Sequence, residues 1–308
     1  MHHIFGNQRY YALHQYYKET FGQRVMKAVV DGGFTCPNID GTLGTGGCIF
    51  CDGGSGYFTG TGSVTEQILA ERQRIHKKFP GCKLIAYFQA HTNTYAPLSV
   101  LRTKYEEALA QPDVVGISIG TRADCISDET LSYLAELSRR TWVTVELGLQ
   151  TIHDDTAQRM NLCCKRSVIR KRYDDLKACG IRVCLHIING LPGETQEQMM
   201  ETARIIGTWK RDAVKIQLLH VIEGTRLAQM YQEHPFPVLT MEAYVQLVVK
   251  QLEYLPPETV CERLTGDGDA EKLIAPEWSR QKRLVLNRIQ QLQKTLGSCQ
   301  GICFGKSE

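Results

Sequence analysis

The sequence predicts an α/β fold in which parallel strands alternate with crossover helices. Two observations carry this. From about residue 24 onward, short β-rich runs are followed by longer segments of helical period. Several of those runs also end on polar or charged residues: Gln89, Thr121-Arg122, Glu146 and Gln150, Asn189, and His220. In a barrel of parallel strands that edge carries the site. One polar strand end is ordinarily a turn residue, but a repeated pattern argues for a shared rim.

The elements follow in order. The strand candidates are RVMKAVV, KLIAYFQ, VVGISIG, WVTVELGLQ, IRVCLHIIN and VKIQLLHVI. Between the first two, VTEQILAERQRIHKKF starts behind Ser63, and Glu66 completes a capping-box spacing. SDETLSYLAELSRR repeats that start with Ser127 and Thr130, and ETQEQMMETARIIGTWK follows Pro192-Gly193. After His220 the alternation stops. MEAYVQLVVKQLEYL reads as a helix, TVCERLTGDG as a strand with a glycine-rich exit, and residues 277–296 as a final helix. There Val285, Ile289, Leu292 and Leu296 form one apolar stripe, opposite Arg280, Arg283, Arg288 and Lys294. The expected organisation is a lead-in over 1–23, a core over 24–221 and an extension over 222–308 packed on it.

The chain has 308 residues, more than the ~100–200 of an ordinary domain, but one α/β barrel absorbs that length. Thirty-six basic and 33 acidic residues nearly balance, so the net charge of +3 says little. The distribution says more. No acidic residue falls between Asp155 and Asp174, where Arg159, Lys165, Arg166, Arg170, Lys171 and Arg172 lie. None falls between Glu277 and Glu308. Such runs are ordinarily solvated helix faces; the sharper reading is a footprint for a phosphate backbone. The start, MHHIFGNQRYY, has no apolar run of a signal peptide, and no run reaches the ~18 apolar residues of a membrane span. Twelve cysteines without a secretory signal point to a reducing, cytoplasmic compartment and to buried thiols or metal ligands.

The stretch GFTCPNIDGTLGTGGCIFC, residues 33–51, follows the first strand and holds Cys36, Cys48 and Cys51. Buried structural thiols would sit in an apolar run, and these are flanked by Gly, Thr, Asn and Pro. Structural zinc usually takes a fourth Cys or His at a second paired spacing, which no nearby residue supplies. An iron–sulfur cluster on three thiolates leaves one iron without a protein ligand, an open coordination position for a substrate or cofactor.

These residues resemble the radical SAM enzymes. The spacing C-x11-C-x2-C, with Phe50 before the last cysteine, is similar to the branch that includes the catalytic subunit of Elongator and shorter bacterial relatives. GTRADC, ELGLQT, HIINGLPGE, LLHVIEGTRLA and RLTGDGD resemble further blocks of that branch, in its order. The resemblance implies a partial (β/α)6 TIM-like barrel of the radical SAM type with a C-terminal α/β extension. It implies a 4Fe–4S cluster on Cys36, Cys48 and Cys51, with S-adenosylmethionine (SAM) chelating the open iron. Reductive cleavage would give a 5′-deoxyadenosyl radical, fed by an electron donor such as flavodoxin or ferredoxin. By similarity Gln89 and Thr92 replace a Gly-Gly-Glu turn at the SAM amino group, and Glu146 and Gln150 reach its ribose or carboxylate. Gly190 and Glu194 shape the adenine side, and His220, on the last barrel strand, lies near the adenine. Where relatives read INRGH in the helix after strand four, this chain has MNLCCKR, residues 160–166. Leu162 and Cys164 take the Arg and His positions, and Lys165 and Arg166 stand in for the lost charge.

The implied substrate is tRNA, through a wobble-uridine modification that does not copy the acetyltransferase of the Elongator subunit. The alternatives are radical chemistry on a small metabolite, as in oxygen-independent coproporphyrinogen oxidases, or a metal-stabilised binding module without activity. Cys163, Cys164, Cys299 and Cys303 have no assigned role.

Overall fold

The structure, a computed structural model, describes residues 5, 8–53, 59–209, 212–266 and 268–306. Position 267 of the RLTGDGD block and the outermost residues of both terminal segments lie outside these.

The elements run α1 (Leu13–Phe21), β1 (Val25–Val30), α2 (Val64–Lys78), β2 (Lys83–Phe88), α3 (Leu98–Leu109), β3 (Val114–Thr121), α4 (Asp128–Ser138), β4 (Trp142–Gln150) and α5 (Asp154–Arg159). They continue with α6 (Arg166–Ala178), β5 (Arg182–Asn189), α7 (Gln196–Thr208), β6 (Ala213–Leu218), β7 (Val221–Ile222), α8 (Arg226–Glu233) and α9 (Met241–Tyr254). β8 (Val260–Arg263), β9 (Leu273–Ala275) and α10 (Lys282–Thr295) complete the chain.

Seven strands pair in parallel, in the order β1-β2-β3-β4-β5-β6-β8. They form a partial barrel of α/β type. Parallel strands covered by helices must be apolar on both faces, and β2 and β5 are buried along nearly their whole length. The helices begin where side chains can take their orphan amides. Ser63 with Glu66 and Thr195 with Gln198 form full capping boxes, and Ser127 accepts from the Thr130 amide.

The sheet curls until its two outer strands meet through side chains. Lys27 on β1 reaches Glu262 on β8 at 2.7 Å, although five strands separate them in the sheet. α1 packs on both β1 and β8 and so lies across the open seam. The backbone around it is stitched to the end of the chain. Cys261 donates its amide to the Tyr11 carbonyl at 2.7 Å, and Gln300 donates to the Arg9 carbonyl at 2.9 Å. The buried Gln300 side chain also accepts from the Tyr11 amide and donates to the carbonyls of Pro256 and Thr259.

Four sequence expectations change. The six expected strands become seven, because the short VCER segment of the extension joins the sheet. The run VKIQLLHVI is two elements, since Val221–Ile222 leaves β6 to pair antiparallel with Leu273–Ala275. His220 therefore sits in the bend after β6 and not on a barrel strand. The segment 160–165 is a loop, because Asn161 and Cys163 take left-handed φ values of 54° and 52° that stop the helix. The final helix is a 3₁₀ turn, Glu277–Arg280, followed by α10; Val285 and Ile289 are fully buried, whereas Leu296 is 62% exposed past the helix end.

Candidate functional site

The cysteine loop leaves β1 at its C-terminal end and is held by its own backbone. The amides of Ile39 and Asp40 donate to the Cys36 carbonyl at 2.8 and 3.0 Å, and Cys51 donates to the Cys48 carbonyl at 2.8 Å. Gly46 and Gly47 carry φ values of 77° and 71°, which an L side chain rarely adopts. The loop is then tied to the segment after α5. Ile49 donates its amide to the Met160 carbonyl, and Asn161 donates to the Gly47 carbonyl at 2.8 Å. The fully buried Asn38 side chain donates to the Asn161 carbonyl at 2.5 Å and lies 3.8 Å from Cys48 Sγ.

The three thiols face a cavity of about 300 Å³ at the C-terminal ends of the strands. It is lined by Cys36, Cys48 and Cys51 on one side, and by Gln89, Thr92, Glu146, Gln150 and His220 on others. The structure thus brings together eight of the ten residues that the resemblance assigns to the cluster or SAM, all but Gly190 and Glu194. Gly190 stands apart, at φ 90°, beneath Leu239 and Leu219, with its amide 3.1 Å from Met199 Sδ. Burial pushes the free Cys48 thiol up to about 12, and neighbouring Cys51 and Cys36 push it further in the same direction. Arg122 opposes them, so a cation stands near the thiolates that a metal would require. Arg122 is itself fixed by Asp124 at 2.6 Å and by the Leu162 carbonyl at 2.8 Å.

Gln150 Oε1 and His91 Nδ1, both on this cavity, are buried without a hydrogen-bond partner among the described residues. Both residues hold left-handed backbones, φ 65° and 59°. Buried polar groups are nearly always satisfied, so these two fit a polar ligand. His220 is packed beneath the glycines of the RLTGDGD block. A Cβ at Gly266 would stand 2.5 Å from His220 Cε1.

Glu146 is differently placed. Its Oε1 accepts from Lys27 at 2.6 Å and Ser118 at 2.5 Å, and its Oε2 from His186 at 2.7 Å and from Lys215. Both oxygens are saturated by the protein. The ammonium groups and the imidazole hold this carboxyl well below the usual carboxylate range, against the cost of burial. Lys215 also donates to Tyr87 Oη at 3.0 Å, and Arg182 joins the network through Glu262 at 2.8 Å.

Sequence reasoning marked Arg122 as a polar strand end without giving it a role, and missed Asn38, His91, Lys27, Lys215 and His186. A signal existed for three of them: one ionisable residue stands inside each of the apolar strands VMKAVV, RVCLHIIN and AVKIQL.

The two basic stretches are largely engaged. Arg170 pairs with Asp174 at 2.8 Å, Lys171 with Asp175 at 3.0 Å, Arg172 with Asp128 at 2.9 Å and Arg288 with Glu242 at 3.0 Å. Arg280 donates to the Leu273 carbonyl at 3.0 Å. No helix among the described residues is long and apolar enough to cross a membrane.

Comparison with known proteins places this arrangement. The model of the Radical SAM superfamily matches residues 41–206, and that of the Radical_SAM C-terminal domain matches residues 211–294. The chain is 46% identical over 304 residues to the uncharacterized protein YtqA of Bacillus subtilis, covering 98% of this chain and 94% of that one. It is 26% identical over 166 residues to the tRNA uridine(34) acetyltransferase of Methanocaldococcus infernus, covering 52% of this chain and 30% of that one. The structure of the archaeal Elp3 of Methanocaldococcus infernus, with its N-terminal residues 1–46 deleted, matches with a TM-score of 0.68 at 19% identity. That match covers 90% of this chain and 64% of the other, and it shows a shared fold.

Proposed function

The chain belongs to the radical SAM superfamily of enzymes, and from that premise we propose that it holds a 4Fe–4S cluster and SAM and modifies the wobble uridine of a tRNA. The observation that carries the cofactor reading is the convergence of Cys36, Cys48 and Cys51 on one cavity that also holds the unpartnered Gln150 Oε1 and His91 Nδ1. Three thiolates and no fourth protein ligand on that loop fit a cluster with one open iron. When bound, the cluster and SAM supply reductive cleavage of the sulfonium and a carbon-centred radical that abstracts a hydrogen atom from the substrate.

The chain's own residues do the rest. Cys36, Cys48 and Cys51 hold the irons, and the Arg122 guanidinium offsets the thiolate charge. Gln150 Oε1 accepts a donor of SAM, and Gln89, Thr92 and His220 line its remaining contacts. Glu146 has no lone pair left for a hydroxyl, so it acts by fixing Lys215 and His186 at the cavity wall. Gly190 gives the chain the left-handed turn that seats the loop after β5. Phe50, Leu162, Ile188 and Leu218 keep water from the reacting centre.

The tRNA reading is supported by the similarity to a tRNA uridine(34) acetyltransferase and by Lys165, Arg166, Arg283 and Lys294, cations with no ion pair among the described residues. The small-metabolite reading draws on the ion-paired state of Arg170, Lys171, Arg172 and Arg288. One experiment separates them: nucleoside mass spectrometry of tRNA from a deletion strain and its complemented parent. The tRNA reading expects one altered wobble nucleoside, restored by the wild-type chain and not by Cys48→Ala. An unchanged nucleoside profile, alongside SAM cleavage by the reduced protein, overturns it in favour of a small substrate.

A further inference from the structure

A second chamber, of about 860 Å³, opens where the sheet fails to close. Its walls are β1, β8, the segment around α1 and the first turns of α10. It meets the cysteine-lined cavity at a common wall of Tyr87, Gln89, Lys215 and Arg263, which line both. The lining is strongly biased in charge. Lys27, Arg74, Lys215, Arg263 and Lys282 face two carboxylates, Glu71 and Glu262. Arg74 and Glu71 pair with each other at the surface.

The interior shows the same excess. Lys27, Lys215 and Arg182 share Glu146 and Glu262, which gives one more cation than carboxylate in a region where both carboxylates are fully buried. His186 adds no further positive charge, since burial and Lys215 lower its basicity. Tyr87 and Cys184 stay protonated, since burial raises both. Lys215 shares Glu146 with Lys27, and its basicity is lowered by burial first and by Lys27 and Arg263 among its charged neighbours. A cation is not the missing partner. Glu146, Cys184 and His186 bring donor atoms within 4.8 Å of one another, but two ammonium groups already occupy Glu146. Nor can a polyanionic backbone reach Lys215, whose side chain is 5% exposed.

We propose that this chamber binds an oxyanion carried on a small arm of the substrate, a carboxylate or a phosphate ester, against Lys215 and Arg263. The arm enters through the seam between β1 and β8 and stops at the wall shared with the cysteine-lined cavity. The position next to the reacting centre rests on the proposed function; the anion site itself does not.

The test uses the full-length protein and two probes, acetate and inorganic phosphate, titrated by isothermal calorimetry at low salt. One of them binds saturably at one site, and the better probe identifies the source of the oxyanion. Loss of a charge-assisted hydrogen bond lowers affinity by about tenfold or more, so Arg263→Gln and Lys215→Met each weaken binding by that factor. Arg263→Gln carries the test if Lys215→Met does not fold. Cys48→Ala binds the probe as the wild type does, because the site needs no cluster. Failure of both probes to saturate, or equal binding by wild type and Arg263→Gln, overturns the proposal. Intact anion binding with no SAM cleavage would instead overturn the proposed function and leave the chamber standing.

Discussion

Glu262→Gln is the sharpest test of the interior network. Glu262 is fully buried and accepts from Lys27 at 2.7 Å and Arg182 at 2.8 Å. Burial raises its pKa, but Lys27 first and then Arg182 bring it from 4.5 down to about 2. A folded-state pKa below the unfolded value stabilises above the unfolded pKa, and that stability is lost as pH falls from about 4.5 through about 2. The difference amounts to about 3 kcal/mol. Removing one partner of a buried ion pair gives a similar figure by another route, roughly 3–5 kcal/mol, because the other charges stay buried. At about 2.1 cal/mol/K of unfolding entropy per residue, a chain of this length changes by ~0.65 kcal/mol per degree, so Tm falls by about 5–8 °C. Lys27→Met costs less, since it leaves equal numbers of buried cations and carboxylates. The assay is urea unfolding followed by circular dichroism from pH 7 down to pH 3. The variant should start lower and show a flatter acid limb than the wild type. A variant within about 1 kcal/mol of wild type, or one with an unchanged acid limb, would refute the reasoning.

Four further outcomes can be checked. Anaerobic reconstitution should load about four irons on three thiolates, and Cys36→Ala, Cys48→Ala and Cys51→Ala should each abolish this by iron analysis. Gly266→Ala drives a methyl to 2.5 Å from the His220 ring and should weaken SAM binding in calorimetry while the fold survives; unchanged affinity removes His220 from the site. Asn38→Ala orphans the Asn161 carbonyl and should cost roughly 1–3 kcal/mol in urea unfolding, with slower cluster uptake. Binding of tRNA should weaken with salt at a slope of about −0.7 to −0.9 per phosphate contact, and Lys165→Ala/Arg166→Ala/Arg283→Ala should make that slope shallower; a slope equal to wild type excludes these three.

The parallel strands were legible because burial on both faces writes continuous apolar runs such as KLIAYF and IRVCLHII. β8 was legible as a strand in TVCERLTGDG but not as a member of the sheet, since its pairing depends on a sheet edge set by distant sequence. β7 and β9, two and three residues long, leave no periodicity at all. The cysteine loop was legible from spacing and flanking glycines. Its anchoring was not: Asn38 meets Asn161 across 123 positions, a separation that no local pattern encodes. Glu146 was found as a strand-end carboxylate, but its partners Lys27 and Lys215 lie 119 and 69 positions away. A reading by strand ends misses them, whereas a reading by lone charges inside apolar strands finds them.

The clasp of Gln300 on Arg9 and Tyr11 sets a schedule for synthesis. At about 5–20 residues per second, roughly 15–60 seconds separate the appearance of Tyr11 from that of Gln300 on the ribosome. For most of that interval, from residue 27 to residue 261, Lys27 is made but Glu262 is not, and β1 waits without the strand that faces it across the seam. Early strands can pair in order, yet the charged interior lacks its second carboxylate until Glu262 is free. A nascent chain stalled before residue 260 therefore lacks β8 and leaves Lys27 without one of its two carboxylates.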